Sequence, residues 1–167
     1  MNSGSKSKIA ILGPSRRFLS GISYYTEWLR DTLSEDYVVE VVFYRNLLPE
    51  RLFPGRARID DTHDEGTDWW NAFGWIKQAW CIRKHDILIV EYWSAAVSHI
   101  QILLSLLFRG RIILEMHEIT EQEEKRSRIL SLYSKATRCI LMWLADTIIV
   151  HSKYDYHILG SNKANIS

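Results

Sequence analysis

Short apolar runs alternate along this chain with stretches whose apolar residues recur every three to four positions. Runs rich in β-branched residues and bounded by polar or glycine-containing turns are typical of buried strands. The five runs are Lys8–Gly13 (KIAILG), Tyr37–Tyr44 (YVVEVVFY), Asp86–Glu91 (DILIVE), Arg111–Met116 (RIILEM) and Asp146–Val150 (DTIIV). The pattern therefore predicts five main strands, and it leaves room for one short strand within the loop-rich segment 45–68.

Between these runs, apolar side chains follow the spacing of amphipathic helices. Four helical segments follow from this spacing, marked by Ile22, Tyr25, Leu29 and Leu33; by Trp69, Phe73, Ile76 and Trp80; by Ser94 to Phe108; and by Ile129, Tyr133, Ala136, Ile140 and Leu144. Strands that alternate with helices form parallel sheets, because a parallel crossover has to pass over a sheet face. We therefore expect one doubly wound, mainly parallel, Rossmann-like α/β domain over residues 1–167.

Composition agrees with one ordinary domain and narrows the expected partners. Of the 167 residues, 47% are apolar and 25% are charged, which suffices for a single core. The net charge of +1 gives no general attraction to nucleic acid, so we expect no nucleic-acid partner. The polar N-terminus has no signal segment, no run is long enough to span a membrane, and Cys81 and Cys139 show neither disulfide nor metal spacing. These features predict a soluble, cytoplasmic protein.

The loop after the first strand is the first candidate for ligand binding. A helix that begins at Gly21, with Ser20 as its N-cap, presents free N–H groups that can hold a phosphate. The G-x-G-x-x-G fingerprint and the P-loop lysine motif are absent, which counts against a dehydrogenase and a P-loop nucleotidase. Alternatively, Gly21 only permits a tight turn, and the spacing alone leaves both interpretations open.

Chemistry-bearing side chains also follow two neighbouring strands, at the edge where parallel sheets bind ligands. His117 could move a proton or hydrogen-bond a sugar hydroxyl, and Glu118 could orient it. The metalloprotease pattern H-E-x-x-H fails, because Glu121 occupies the position of its second histidine. Glu91 and Tyr92 end the preceding strand and could line a carbohydrate pocket. The alternatives are a histidine that satisfies loop backbone groups, and an acid with core aromatics at a helix start.

The tryptophan-rich helix admits two interpretations. Its aromatic residues are followed by Arg83 and Lys84, and this combination suits a membrane interface. The alternative, which we prefer, is that the face of Phe73, Ile76 and Trp80 packs on the sheet. Contact with a membrane surface stays open at this point.

Taken together, these motifs resemble the N-terminal domain of GT-B glycosyltransferases. The matching segments are KIAILGP with LSGISYYTEWLRDTL, HDILIVEYW, RIILEMHE and ADTIIVHSKYD. They are similar in particular to the retaining, metal-independent family that includes sucrose-phosphate synthases and bacterial mannosyltransferases. The resemblance implies transfer of a hexosyl group from a nucleotide-sugar co-substrate to a hydroxyl of a carbohydrate or lipid-linked acceptor, with no required metal.

The resemblance also implies roles for individual residues. His117 matches the strand-end histidine near the donor sugar and is the implied catalytic residue. Gly21, with Ser20, matches the loop beside the donor diphosphate, where the family commonly carries a double glycine. Ser152 matches the serine that closes the last strand and faces the cleft. The residues implied to line the acceptor side are Glu91, Tyr92 and Glu118.

In this family a C-terminal Rossmann-like domain binds most of the nucleotide sugar. The sequence ends at Ser167, so we expect this chain to act with a C-terminal donor-binding domain or a partner chain, and to be inactive alone. An alternative of a different class is a non-catalytic subunit, peripheral on the inner membrane face, that holds the acceptor and recruits a separate donor-binding chain. A third is an unrelated Rossmann-like nucleotide binder.

Overall fold

The apolar runs form one sheet in which every neighbouring pair of strands is parallel. The computed structural model describes residues 6–14, 21–46, 67–117, 128–153 and 156. The strands are β1 (Lys8–Pro14), β2 (Val38–Asn46), β3 (Thr67–Asp68), β4 (Ile87–Tyr92), β5 (Arg111–Met116) and β6 (Thr147–Val150). The helices are α1 (Gly21–Ser34), α2 (Ala72–Ile82), α3 (Ser98–Leu107) and α4 (Arg128–Leu144), with a 3₁₀ turn at Ala95–Val97. The expected α/β class with a parallel sheet is confirmed.

The order of the strands places a topological switch between β1 and β4. The sheet order is β3-β2-β1-β4-β5-β6, so the chain moves outward from β1 to β3 and then crosses back to β4. The loops after β1 and β4 therefore lead to helices on opposite faces of the sheet. In sheets with such a divergence, ligands bind in a crevice outside the carboxyl ends of the strands.

Apolar clusters cover both faces of the sheet. On one face, Ile9, Ile11 and Ile89 pack against α1 through Leu29 and Leu33. On the other face, the three remaining helices contribute to a larger cluster. Its helical members include Ala79 and Ile82 of α2, Ile100 and Leu104 of α3, and Leu141 of α4. The strands are thus buried from both sides, which explains why their sequences are apolar runs rather than alternating patterns.

The predicted strands are confirmed to within two residues at each end, and β3 is the short strand of the loop-rich segment. The predicted start of the third helix differs in detail. Ser94 caps the 3₁₀ turn, with its hydroxyl oxygen accepting from the Ala96 N–H at 3.3 Å, and α3 itself begins at Ser98. The predicted N-cap Ser20 and most of the loop-rich segment lie outside the described residues.

The prediction that the aromatic face of α2 packs on the sheet is wrong. Phe73 and Trp80 are 87% and 67% exposed, and Ile76 is also exposed. The helix reaches the core instead through Ala79 and Ile82. Trp75 of the same helix is partly buried against this core, so only part of the large apolar residues of α2 faces solvent.

Helix α4 is likewise turned away from its predicted apolar stripe. Ile129, expected to face inward, is exposed, whereas Ser134, Thr137 and Leu141 are buried. The Thr137 hydroxyl donates within its own helix, to the Tyr133 carbonyl at 3.0 Å, so its burial leaves no donor unsatisfied. A pattern that counts these hydroxyl residues as polar therefore selects the wrong face.

Two further features concern the helices: their length and hydropathy, and the two cysteines that they carry. None of the helices among the described residues is long and apolar enough to cross a membrane. Cys81 and Cys139 lie on α2 and α4, as predicted, and both are exposed free thiols.

Candidate active site

The candidate site begins with two carboxylates on neighbouring strands. Glu91 and Glu115 are direct register partners at the ends of β4 and β5, so their side chains project from the same face of the sheet. Both are buried, and Glu91 has 0% of its surface exposed. Two buried carboxylates on adjacent strands cannot both be charged unless hydrogen bonds compensate them strongly.

Helix α1 lies over these carboxylates and contacts both. The Tyr25 hydroxyl donates to Glu115 Oε1, and the Thr26 hydroxyl oxygen lies 2.6 Å from Glu91 Oε2. Gly13 of β1 makes room for the second contact, because a Cβ atom there would lie 2.6 Å from both Glu91 Oε2 and Thr26 Cγ2. Successive residues of one helix thus hold acids of two adjacent strands.

The proton balance at Glu91 favours the neutral acid. Burial raises the pKa of Glu91 to about 8; the Thr26 hydroxyl lowers this pKa and the nearby Glu115 raises it, both to a smaller extent. The Thr26 hydroxyl also lies 2.9 Å from the Ile22 carbonyl, and its single proton cannot serve two acceptors. A protonated Glu91 resolves this conflict by donating to Thr26, which leaves the Thr26 proton for the carbonyl.

Two histidines stand beside Glu115, one after β5 and one after β6. The His117 backbone N–H donates to the Tyr92 carbonyl at 2.9 Å, which extends the strand pairing by one residue. The rings of His117 and His151 stack with centroids 4.7 Å apart, and the Tyr25 ring meets both edge-on. His151 Nε2 lies 3.1 Å from Glu115 Oε1. We call this group the strand-end cluster; its members are Tyr25, Thr26, Glu91, Glu115, His117 and His151.

Burial controls the protonation of this cluster. It lowers the pKa of His117 to about 4, with a smaller contribution from His151, so the His117 imidazole is neutral at physiological pH. Among the described residues, His117 Nε2 is buried and has no hydrogen-bond partner. Burial also raises the pKa of Tyr25, and the hydrogen bond to Glu115 adds to this, so the phenol keeps its proton. The cluster therefore contains a neutral imidazole whose buried Nε2 has no hydrogen-bond partner among the described residues.

The same residues include a set of metal-ligating atoms. Glu115, His117 and His151 each offer one such atom, and within the described part of the chain these three atoms lie within 4.8 Å of one another. The arrangement can therefore serve either a hydroxyl ligand, through hydrogen bonds, or a cation, through direct ligation.

The structure brings together only some of the predicted site residues. His117 and Glu91 belong to the cluster, and Gly21 begins α1, the helix that covers it. Gly21 is exposed, and no atom lies within 4 Å of the position a Cβ would take, so the space beside it is open. Ser152 is exposed two residues beyond β6. The predicted residues Ser20 and Glu118 lie outside the described part of the chain.

The expectation that Glu91 and Tyr92 line a substrate pocket needs correction. Alternation along β4 turns Tyr92 to the opposite face of the sheet, where it is 0% exposed in the larger core cluster and its hydroxyl lies 3.4 Å from Ser134 Oγ. Glu91 faces the cluster but has no exposed surface either. Neither side chain therefore reaches the surface of the sheet edge in this conformation.

The sequence interpretation missed four members of the cluster: Tyr25, Thr26, Glu115 and His151. One signal was present, because His151 follows β6 directly, just as His117 follows β5 directly. Tyr25 carried no such signal, since its helical spacing assigned it to the apolar face of α1.

Comparison with known proteins bears on the fold. No protein-family model and no curated protein matches the sequence. Solved structures of a T4 phage alpha-glucosyltransferase are similar. One, in complex with UDP and a 13-mer DNA containing a HMU base, matches 89% of this chain with a TM-score of 0.55 and 18% identity. Another, in complex with UDP-glucose and DNA containing an abasic site, matches 92% with a TM-score of 0.57 and 18% identity.

This chain spans 37% and 38% of the length of those two glucosyltransferase chains. At this identity the likeness shows the fold, a Rossmann-like half of the GT-B type, as the sequence predicted. The finer assignment to the family of sucrose-phosphate synthases is not confirmed. Both complexes contain DNA, which conflicts with the expectation that nucleic acid is excluded as a partner. That expectation rested on net charge, and a total near zero does not describe local surface charge.

Proposed function

We propose that this chain is the acceptor-side domain of a GT-B glycosyltransferase, which moves a hexosyl group from a nucleotide-sugar donor to an acceptor hydroxyl. One observation carries the proposal: the imidazole of His117 is neutral and half-buried, its Nε2 has no partner among the described residues, and it lies at the carboxyl-end edge of the sheet, after the strand next to the switch point. The fold shared with UDP- and UDP-glucose-bound glucosyltransferases supports it.

The proposal assigns a role to each of these site residues. His117 Nε2 hydrogen-bonds a hydroxyl of the donor sugar and so orients the sugar for transfer. The N-terminus of α1, with Ser20 and Gly21, meets the donor diphosphate, because free helix N–H groups and the helix dipole favour an anion. Ser152 contributes to the cleft, and Glu118 lines the acceptor side. Glu91 supports the cluster from beneath, without contact to substrate.

The donor nucleotide binds mostly to a second, C-terminal domain or a partner chain, so the proposal includes inactivity of this chain alone. The transfer chemistry requires no metal, since departure of the diphosphate can be stabilised by fixed hydrogen-bond donors. The acceptor is a hydroxyl compound. The similar structures are bound to DNA, so nucleic acid is a candidate acceptor in addition to carbohydrates and lipid-linked molecules.

Differential binding tests the role of His117. The natively purified protein, with any chain that accompanies it, is titrated calorimetrically with a panel of nucleotide sugars and with the matching free nucleotides. We expect His117→Ala to weaken binding of the nucleotide sugar about tenfold, the loss of one buried hydrogen bond, and to leave the free nucleotide unaffected. The matched control is His85→Gln, because His85 lies at the opposite edge of the sheet, before β4. Absence of nucleotide-sugar binding in the wild type, or equal binding by both variants, contradicts the proposal.

The exposed face of α2 favours a second candidate function, a subunit that docks at a membrane. Phe73, Ile76 and Trp80 are exposed, and the Arg83 guanidinium lies 4.8 Å from the centre of the Trp80 ring. An apolar face flanked by basic residues suits insertion into the interface of anionic bilayers.

Vesicle sedimentation tests this second function. We expect phosphatidylglycerol vesicles to pellet the protein in a salt-sensitive manner, and Phe73→Ser to reduce the pelleted fraction. Trp28→Ser is the control, because Trp28 on α1 is an exposed aromatic of a different helix. If the wild type stays in the supernatant with anionic vesicles, the docking function is wrong.

A further inference from the structure

Three ligand-type side chains converge where β5 and β6 end. Glu115 is the penultimate residue of β5, His117 follows that strand, and His151 follows β6. Within the described residues, one donor atom from each lies within 4.8 Å of the other two. We propose that Glu115, His117 and His151 form a binding site for a divalent transition-metal ion of the zinc class.

The chemistry of the three side chains selects this class of ion. Two imidazoles and one carboxylate suit zinc and its neighbours, whereas magnesium and calcium prefer oxygen ligands alone. Three protein ligands also leave one tetrahedral position open for water or a hydroxyl group.

The buried nitrogen of His117 is an independent observation that points to a ligand. His117 Nε2 has no hydrogen-bond partner among the described residues, and an unsatisfied buried polar atom is destabilising. A bound cation would satisfy this atom directly.

The surroundings fix the Glu115 carboxylate and the backbone of His117. The Tyr25 hydroxyl donates to Glu115 Oε1, a contact of the kind that orients ligating carboxylates. The backbone of His117 is fixed by its bond to the Tyr92 carbonyl. Ligand atoms on one tetrahedral zinc ion lie about 3.3 Å apart, from metal–nitrogen distances of about 2.0–2.1 Å. Rotation of the two histidine rings about their side-chain bonds is the movement that closes the site.

The metal site does not rest on the proposed sugar transfer. The effect of a bound ion on activity does rest on it. An ion held by His117 Nε2 occupies the nitrogen that would otherwise contact the donor sugar. On the basis of the proposed function, zinc therefore acts as an inhibitor at this edge rather than as a cofactor.

Cobalt spectroscopy tests the site without any sugar substrate. The tag-free full chain is stripped with EDTA, desalted and titrated with Co²⁺, and the visible d–d absorption of low-coordinate cobalt is recorded. We expect saturable absorption at one ion per chain, and its loss on addition of Zn²⁺. His117→Ala and His151→Ala each weaken binding at least about tenfold, and Tyr25→Phe, which leaves the ligands in place, weakens it about tenfold.

Two variants distinguish loss of the metal site from misfolding and from adventitious metal binding. His151 is exposed, so His151→Ala leaves the core intact even if His117→Ala fails to fold. His85→Gln controls for adventitious histidine binding at the opposite sheet edge. The site is disproved if the wild type shows no low-coordinate cobalt spectrum, or if the spectrum survives His151→Ala unchanged. A cobalt spectrum without nucleotide-sugar binding would leave the metal site standing and remove only the proposed function.

Discussion

At the scale of single residues, Glu91 and Gly13 explain how α1 can lie over a pair of acids. Glu91 is neutral at physiological pH because burial outweighs the hydrogen bond from Thr26, and a neutral acid needs no counter-ion. Gly13 leaves the space into which the Glu91 carboxyl and the Thr26 side chain fit. Neither the neutral state of Glu91 nor the space at Gly13 can be recognised from the local sequence.

Glu91→Gln should remove a pH dependence of stability. The pKa of Glu91 is about 8 in the folded protein and near the ordinary 4.5 when the chain unfolds. Between these values the folded state binds more protons, so the contribution of Glu91 to the free energy of unfolding falls as pH rises, by up to about 1.4 kcal/mol per pH unit. Glutamine resembles the neutral acid and does not titrate. Urea unfolding from about pH 5 to about pH 8, in EDTA, should show a steeper decline for the wild type.

The lowered pKa of His117 gives the opposite trend, stability that rises with pH between about 4 and 6.5, but it is present in both proteins. The difference between wild type and Glu91→Gln therefore isolates Glu91. Parallel stability curves for the two proteins would show that Glu91 is ionised in the folded state.

Gly13→Ala should destabilise the protein by about 1–3 kcal/mol, the usual cost of overpacking. The added Cβ would lie 2.6 Å from Glu91 Oε2 and Thr26 Cγ2. Gly21→Ala is the matched control, because no atom lies within 4 Å of its Cβ position and the change should stay within about 0.5 kcal/mol. Chemical denaturation measures both. Equal stability of the two variants would mean that α1 does not pack closely on β1.

At the scale of whole elements, α2 and α4 bury faces that include small or hydroxyl residues beside a large apolar one. Ala79 and Ile82 in α2, and Ser134, Thr137 and Leu141 in α4, are buried, while large residues such as Phe73 and Ile129 remain exposed. The large apolar residues of each helix therefore do not all lie on one face, and their spacing alone does not identify the buried face.

A pair of substitutions in α2 separates its two faces. Phe73→Ser should change the free energy of unfolding by less than about 0.5 kcal/mol, because Phe73 is 87% exposed. Ile82→Ala, on the buried face, should cost about 2–5 kcal/mol through lost contacts and a cavity. Thermal and urea unfolding of both variants check this. If Phe73→Ser lowered the free energy of unfolding as much as Ile82→Ala does, the result would support the predicted packing of the aromatic face on the sheet.

At the scale of the whole molecule, two apolar clusters share the strands of one sheet. Ile11 belongs to the cluster beneath α1, and Leu114 belongs to the cluster beneath the other three helices. Because β1, β2, β4 and β5 each contribute to both clusters, neither face can melt while the other stays packed.

Ile11→Ala and Leu114→Ala should therefore weaken the same cooperative transition, each by about 2–5 kcal/mol. Helical circular dichroism and tryptophan fluorescence should give coincident unfolding midpoints in the wild type and in both variants. If one variant separates the two midpoints, the faces of the sheet unfold independently and the shared-strand argument fails.

The order and type of the elements follow from the sequence alone. The strand runs are apolar and β-branched over four or more residues, and this local pattern leaves little choice of structure for the chain. The same strand ends pointed to His117, since a residue that directly follows a parallel strand has to lie at the ligand edge.

Only the tertiary structure decided which residues join His117 there. Tyr25 and Glu115 are 90 positions apart, and their contact depends on how α1 lies on the sheet. Glu91 and Glu115 meet because of the β4–β5 register, and His151 reaches Glu115 because of the β5–β6 register. The tertiary structure alone also shows which faces of α2 and α4 are buried. Periodicity reports where the large apolar residues lie, whereas the buried faces of these helices also contain small and hydroxyl residues such as Ala79 and Thr137.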